Sequence, residues 1–170
     1  MRKVILFIAT SLDGFIARND NDISWLFHDQ DYGYKKFYSG IDCVIMGRKT
    51  YEVACQLEEN PFLEKKCYVF TRKKMEDENN VLYRNNPVHV ATELKRKEGK
   101  NIWLVGGEQI SKELMNAGLI DEIVLSIHPI ILGEGIFLYG GIDQRKLQLI
   151  SCSSFTSGLI QMHYLVRNNI

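Results

Sequence analysis

The sequence predicts an α/β fold, a central mixed and mostly parallel sheet with an antiparallel hairpin at the carboxyl end. Three observations carry this. Short apolar runs of strand length alternate with helix-forming stretches over the first two thirds of the chain, the pattern of parallel strands joined by crossover helices. Two of those runs, Val4-Ile5-Leu6-Phe7-Ile8-Ala9 and Ile102-Trp103-Leu104-Val105, have no polar alternation and so suit strands covered on both faces. In the last third, Leu147 to Phe155 and Ile160 to Val166 read as two β runs around Ser157-Gly158, a hairpin.

Taken in order, the first strand leads into Thr10-Ser11-Leu12-Asp13-Gly14, where the Asp-Gly pair signals a turn. Arg18 to Asp22 is a polar loop, and Ile23-Ser24-Trp25-Leu26-Phe27 sets an aromatic cluster on a connection, where exposed aromatics point to binding. Asp31 to Ser39 reads as a helix closed by Gly40. Val44 to Met46 is the next strand, Thr50 to Leu57 a helix, and Lys66 to Phe70 a strand delivering Thr71-Arg72-Lys73-Lys74 to its end. Val81 to Tyr83 is a brief strand, Pro87 marks a turn, and His89 to Lys97 is an amphipathic helix ended by Gly99. A helix from about Gln109 to Asn116 and a strand from Glu122 to Ile127 follow. Pro129 to Gly135 is then an apolar, glycine-punctuated loop.

Two strand-to-helix junctions share one design. Gly47-Arg48-Lys49-Thr50 and Gly106-Gly107-Glu108-Gln109-Ile110 each put glycine between an apolar strand and a helix start. The first amides of a helix have no partner inside it, and glycine lets a ligand come close to them. Each junction alone is ordinary punctuation. Together, one at each end, they suit the separated phosphates of a dinucleotide. Ligands of open α/β sheets lie beyond the carboxyl strand ends, where Thr10 to Asp13, Thr71 to Lys74 and both junctions fall. Arg48, Lys49, Arg72, Lys73 and Lys74 would neutralise phosphate, and a 2′-phosphate dianion would favour NADP(H) over NAD(H). There is no G-x-G-x-x-G.

At 170 residues the chain is expected to be one domain, residues 1–170, with a core that needs no metal or disulfide. Its formal net charge of zero gives no reason to expect nucleic acid or an acidic membrane surface. Cys43, Cys55, Cys67 and Cys152 are scattered and read as reduced thiols. His28, His89, His128 and His163 show no ligand spacing, so each reads as solvated or hydrogen-bonded and no metal is expected. No serine or cysteine sits in a nucleophile elbow. With no leader or membrane-length run, the expected compartment is the cytoplasm. Asp13, Trp25 and Asp31 are the residues singled out on the substrate side. For the aspartates, turn and capping roles compete with proton transfer. The apolar stretch Ile130 to Tyr139 suggests a homodimer.

Four segments in this order resemble the dihydrofolate reductase superfamily, and more closely the reductase domain of the bifunctional riboflavin biosynthesis proteins, the RibD C-terminal family. They are Ser11-Leu12-Asp13-Gly14-Phe15-Ile16-Ala17, Met46-Gly47-Arg48-Lys49-Thr50-Tyr51-Glu52, Val105-Gly106-Gly107, and Pro129-Ile130-Ile131-Leu132-Gly133-Glu134-Gly135-Ile136. The resemblance implies a three-layer fold on a central eight-stranded sheet, with NADPH across the carboxyl strand ends. It also implies reduction of a pteridine or aminopyrimidine substrate. Ala9 and Ile16 would border the nicotinamide. Gly47 to Thr50 and Gly106 to Ile110 would hold phosphates, Val105 before them would also belong to the cofactor site, and Thr71 to Lys73 would flank the adenosine end. A cis peptide is implied at Gly106-Gly107. Three departures qualify the substrate. The zinc deaminase half is expected to be absent, since Met1 nearly coincides with the first strand. Glu58-Glu59-Asn60-Pro61 stands where the riboflavin enzymes have a double-aspartate-proline segment. Asp29, Gln30 and Asp31 compete for the acidic position that follows the tryptophan in dihydrofolate reductase. A non-catalytic nucleotide-binding or protein-interaction module on the same fold is the alternative.

Overall fold

Side-chain burial divides the apolar residues of the central strands between two faces, and helices cover both. The computed structural model describes residues 1–59 and 61–167, so Asn60 of the altered proline segment lies outside the described residues. Its elements run β1 (Val4–Thr10), β2 (Phe15–Ala17), α1 (Tyr34–Ser39), β3 (Ile41–Gly47), α2 (Arg48–Leu57), β4 (Lys66–Phe70), β5 (Val81–Arg84) and α3 (Pro87–Arg96). They continue with β6 (Asn101–Gly106), α4 (Glu108–Asn116), β7 (Glu122–Ile127), β8 (Ile136–Phe137), β9 (Lys146–Ser154) and β10 (Ile160–Arg167). Among the described residues, eight strands form one sheet in the order β5-β4-β3-β6-β1-β7-β10-β9, and β2 pairs with β8 in a separate two-stranded sheet.

The pairings from β5 across to β7 are parallel; β10 is antiparallel to both β7 and β9. The carboxyl ends of six strands therefore share one sheet edge. One face carries Leu6, Ile45, Ile102 and Leu104 against Ala91 and Leu94 of α3 and Leu114 of α4. The other carries Val44, Met46, Val69 and Trp103 against Phe37 and Tyr38 of α1 and Tyr51 and Ala54 of α2. Fully burying one such aliphatic side chain contributes about 1.5–3 kcal/mol, which makes these two clusters the main hold on the strand order.

Several boundaries differ from the sequence reading for local reasons. Asp31 does not open the first helix: Tyr32 (φ 49°) and Gly33 (φ 80°) reverse the chain, Gly33 is the cap residue, the helix starts at Tyr34, and the Asp31 side chain accepts the Lys35 amide from outside it. Pro87 does not mark a turn outside the third helix but is its first residue, a position that needs no amide, with the Asn86 side chain accepting the His89 N–H at 2.9 Å. Arg48 and Glu108 are themselves helical, so both glycine junctions are tighter than predicted. The Gly106–Gly107 peptide is not cis, since no cis bond occurs among the described residues; the two glycines turn the chain through φ of 138° and 89° instead. All four cysteines are free, and burial pushes the Cys43 and Cys67 thiols up to about 12.

The apolar surface also lies elsewhere than expected. Leu138 is buried and Tyr139 packs on the core, leaving Ile131 and Phe137 as the exposed apolar residues of that stretch. In contrast, all nine residues of the edge strand β9 are exposed, with Leu149 and Ile150 each 52% accessible. A bulge between His163 and Tyr164 of the paired register leaves Ile150 without a partner on β10.

Candidate functional site

The two glycine junctions lie side by side. β3 and β6 are parallel neighbours, with Met46 opposite Gly106 at their carboxyl ends. The register there skips Val105, a bulge directly before the glycine pair, and bulges next to sites commonly re-aim the chain. Gly107 is tight in both backbone and space: its φ of 89° excludes most side chains, and an added Cβ would stand 3.3 Å from Thr50 Oγ1 and 3.8 Å from the Gly47 nitrogen. Gly47 differs. Its φ of −74° and ψ of 156° suit any residue, and an added Cβ would meet only Ile110 Cγ1, at an ordinary 3.5 Å. Neither conformation nor packing requires a glycine there.

Gly47 and Gly107 are the caps of α2 and α4, and neither helix has a side-chain cap at its start. Their first amides are thus left for solvent or a ligand, with positive dipole ends next to each other. Thr50 stands between them. Arg48 pairs with Glu52 one turn on, and Lys49 is exposed. An open groove of about 320 Å³ runs along the side of α2, walled by Arg48, Lys49, Glu52 and Gln56 and by Asp20, Asn21 and Asp22 of the loop after β2; neither glycine junction lines it. Asp22 is turned toward Arg18 at 2.9 Å and also takes the Ser24 hydroxyl, which together with the Ser24 amide holds its carboxyl low.

On the other side of β3, β4 ends at Phe70 and is followed by Thr71, whose amide donates to the Arg84 carbonyl at 2.8 Å and whose Oγ1 accepts the Lys73 N–H at 3.1 Å. Arg72 and Lys73 extend into solvent. Sequence reasoning missed a neighbouring group: Arg84, at the end of β5, forms a two-point pair with Asp77 at 2.8 and 3.0 Å. Its place as last residue of a short strand was the available signal.

The other predicted residues separate into roles. Ala9 is half-buried near the end of β1 opposite Ser126, and Ile16 lies on β2 and packs on the core. Val105 is half-buried. Glu108 is exposed, and an added Gly140 Cβ would stand 2.9 Å from its Oε1. Gln109 bonds Glu113 at 3.0 Å, and Ile110 is buried, so it offers a ligand only its backbone. Asp13 accepts the Ser11 hydroxyl at 2.6 Å and the Leu132 and Gly133 amides at 3.1 and 2.8 Å. Those bonds, the Ser11 hydroxyl foremost, hold its pKa down to about 2. Asp31 accepts the Lys35 amide at 3.0 Å. Trp25 is not an exposed aromatic: it is 8% accessible, edge-on to His128 at 5.3 Å, and its indole Nε1 has no partner among the described residues. No direct contact joins Asp13, Trp25 and Asp31; the first two are tied to opposite ends of the 128–133 segment. The described residues contain no cluster of His, Cys, Asp and Glu fit for a metal.

An eight-stranded, mostly parallel sheet with two adjoining anion-ready helix starts on its carboxyl edge defines a dihydrofolate reductase-like α/β domain. The chain belongs to the RibD C-terminal domain family, which matches residues 58–161. It is 37% identical to the uncharacterized protein YyaP of Bacillus subtilis (strain 168), over 96% of this chain and 94% of that one. The uncharacterized protein YwjB of the same organism is also 37% identical, over 96% and 98%. Among solved structures, a putative riboflavin biosynthesis protein from Shewanella sp. PV-4 superposes with a TM-score of 0.85 at 26% identity, covering 98% of this chain and 99% of that one. A Thermotoga maritima diaminohydroxyphosphoribosylaminopyrimidine deaminase/5-amino-6-(5-phosphoribosylamino)uracil reductase shares the fold, with a TM-score of 0.72 at 17% identity. That match covers 98% of this chain and 57% of that one.

Proposed function

We propose that this domain is an NADPH-dependent reductase of a small heteroaromatic substrate, of pteridine or aminopyrimidine type. The observation that carries the reading is the adjacency of two glycine-capped helix starts, with a glycine at Gly47 where neither backbone angle nor packing calls for one. The residues present fit the cofactor. Gly47, Arg48, Lys49 and Thr50 with Gly106 to Ile110 would hold the phosphates through backbone amides and the Thr50 hydroxyl. Thr71, Arg72 and Lys73 would meet the adenosine end and its 2′-phosphate, and Ala9, Ile16 and Val105 would border the nicotinamide. The cofactor, when bound, supplies a hydride.

What the chain contributes is placement and a proton. Asp13, already singly charged and held near pKa 2, is a poor proton donor at neutral pH; it positions the Leu132–Gly133 backbone. Trp25 offers an unpartnered indole N–H, and Asp31 a solvent-facing carboxylate for proton transfer. The family likeness favours riboflavin-type chemistry, while Glu58-Glu59 in the altered proline segment argues for a substrate without that sugar phosphate. No helix among the described residues is long and apolar enough to cross a membrane, and we place the domain in the cytoplasm as a homodimer joined through β9.

Titration with NADPH and NADH tests the reading. A ligand at a hundredfold its Kd adds about 2.7 kcal/mol of apparent stability, so binding is read as a melting shift. Binding of neither nucleotide at millimolar concentration would end it. Turnover is then sought across pterins and aminopyrimidines.

A further inference from the structure

His128 is the one histidine of the chain that sits inside the protein. It follows the last residue of β7 and is 4% accessible. Its backbone is tied to the sheet, with the amide donating to the Thr10 carbonyl at the end of β1 at 2.8 Å. Its ring is tied to the loop between β2 and α1: Nε2 accepts the Phe27 amide N–H at 3.1 Å. The Phe27 ring lies 4.9 Å from the imidazole and the Trp25 indole lies edge-on at 5.3 Å. The same loop has a second attachment at Tyr32, whose carbonyl accepts from Gln161 at 3.1 Å and whose hydroxyl joins Asp29 and Ser157. Between Arg18, which bonds back to Asp22, and Tyr32, the His128 ring is therefore the central fixed point for the aromatic part of the loop.

We infer that His128 is a positioning residue that latches the Trp25–Phe27 segment over the end of β1 and β7, and that protonation of its ring releases the latch. A ring nitrogen that accepts an amide proton must be bare, so the closed form requires the neutral imidazole with its proton on Nδ1. Adding a proton at Nε2 sets two donors facing each other. It also leaves a buried cation with no carboxylate bonded to it. Burial lowers the His128 pKa from its usual value; the Ser126 backbone raises it, His28 on the loop lowers it further and Asp29 on the loop raises it. The groups facing it from β1 and β7 are the Thr10 carbonyl and Ser126, neither of which titrates. The closed loop is thus favoured fully above the open-loop pKa near 6.5, and the preference is lost as pH falls toward the depressed closed-state pKa.

The loop's place on the substrate side rests on the reductase reading; the latch itself does not. Hydrogen exchange of the Phe27 amide in the nucleotide-free protein tests it, expressed as a protection factor so that the intrinsic pH dependence of exchange cancels. The wild type should lose protection at Phe27 as pH falls from 7.5 to 5, the loss beginning near pH 6.5 and running no steeper than tenfold per pH unit. The indole of Trp25 should become open to acrylamide over the same range, a change absent from W25F. His128→Gln, which keeps an acceptor that does not titrate, should hold its protection at both pH values, whereas His128→Leu should lack it at both. Unchanged wild-type protection at pH 5, or an equal loss in His128→Gln, would overturn the latch. These two measurements decide the matter even if the leucine variant fails to fold. The reductase reading stands or falls separately on nucleotide titration.

Discussion

Substituting Gly47 by alanine separates a glycine kept for a ligand from one kept for the fold. Its φ of −74° and ψ of 156° are open to alanine, and the nearest atom to the new methyl is Ile110 Cγ1 at 3.5 Å. Lower entropy of the unfolded chain stabilises the variant by about 0.4–1 kcal/mol. The poorer helix cap made by alanine subtracts a similar amount, about 0.5–1 kcal/mol. Net stability should stay within about 1 kcal/mol of the parent, or roughly 2–4 °C in Tm for a chain of this length. On the proposed reading a phosphate oxygen comes within hydrogen-bond distance of the first amides of α2, which follow Gly47 directly, and a side chain on that cap residue restricts the approach. Loss of even one charge-assisted bond, worth about 1.5–3 kcal/mol, weakens binding tenfold or more. The assay is a melting curve of parent and variant with and without NADPH. Expected is an unchanged free protein whose NADPH-dependent shift has collapsed. Gly107→Ala is the contrast: at φ 89° and 3.3 Å from Thr50 Oγ1 it should destabilise the free protein itself, by about 1–3 kcal/mol. A Gly47→Ala protein protected by NADPH as well as the parent would refute the claim that this glycine serves the cofactor.

Arg72→Ser should weaken NADPH more than NADH, because only the former carries the 2′-phosphate; equal losses in paired titrations would remove the clamp. Asp13→Asn should loosen the Leu132–Gly133 backbone, raising amide exchange there while the central strands stay protected. The Asp13 pKa is lowered from 3.8 to about 2, so its contribution is present above pH 3.8 and is lost as pH falls toward 2, a window that acid titration followed by NMR at Gly133 can check. Leu149→Lys with Ile150→Lys, placed on the exposed edge strand, should convert a dimer to monomer in sedimentation without shifting the far-UV spectrum; a parent already monomeric at micromolar concentration would exclude the β9 interface.

The strands are legible because their covering on both faces removes polar residues, and β4 and β7 end where the apolar runs do, each opened by one charged residue, Lys66 and Glu122. What one sequence conceals is pairing over distance. Nothing local announces that Asp13 will bond amides 119 and 120 residues on, or that the His128 ring will accept an amide from 101 residues earlier. The surface of Ile130 to Tyr139 looked apolar enough for a partner because sequence cannot show that Leu138 turns inward, while the real apolar edge is diluted by Ser151 and Ser153. The cis peptide rests on family likeness alone, with no local signal in the residues, and the two glycines here carry positive φ on either side of a trans bond.

Topology explains why the site has to be assembled late in the chain. β1 and β3 are not neighbours: β6 is inserted between them, pairing with both, after the chain has built β4 and β5 outward. Until β6 arrives, α2 has an exposed start with a single set of free amides, a weak site for any anion in water. The insertion sets Gly107 so close to Gly47 and Thr50 that an added Cβ would stand within 4 Å of both, and it places a second helix dipole beside the first. The Ile110 side chain, buried under the junction, then fixes the spacing between the two starts. Changes that shrink Ile110 should therefore reduce nucleotide binding by letting the two helix ends drift, even though its side chain touches only protein.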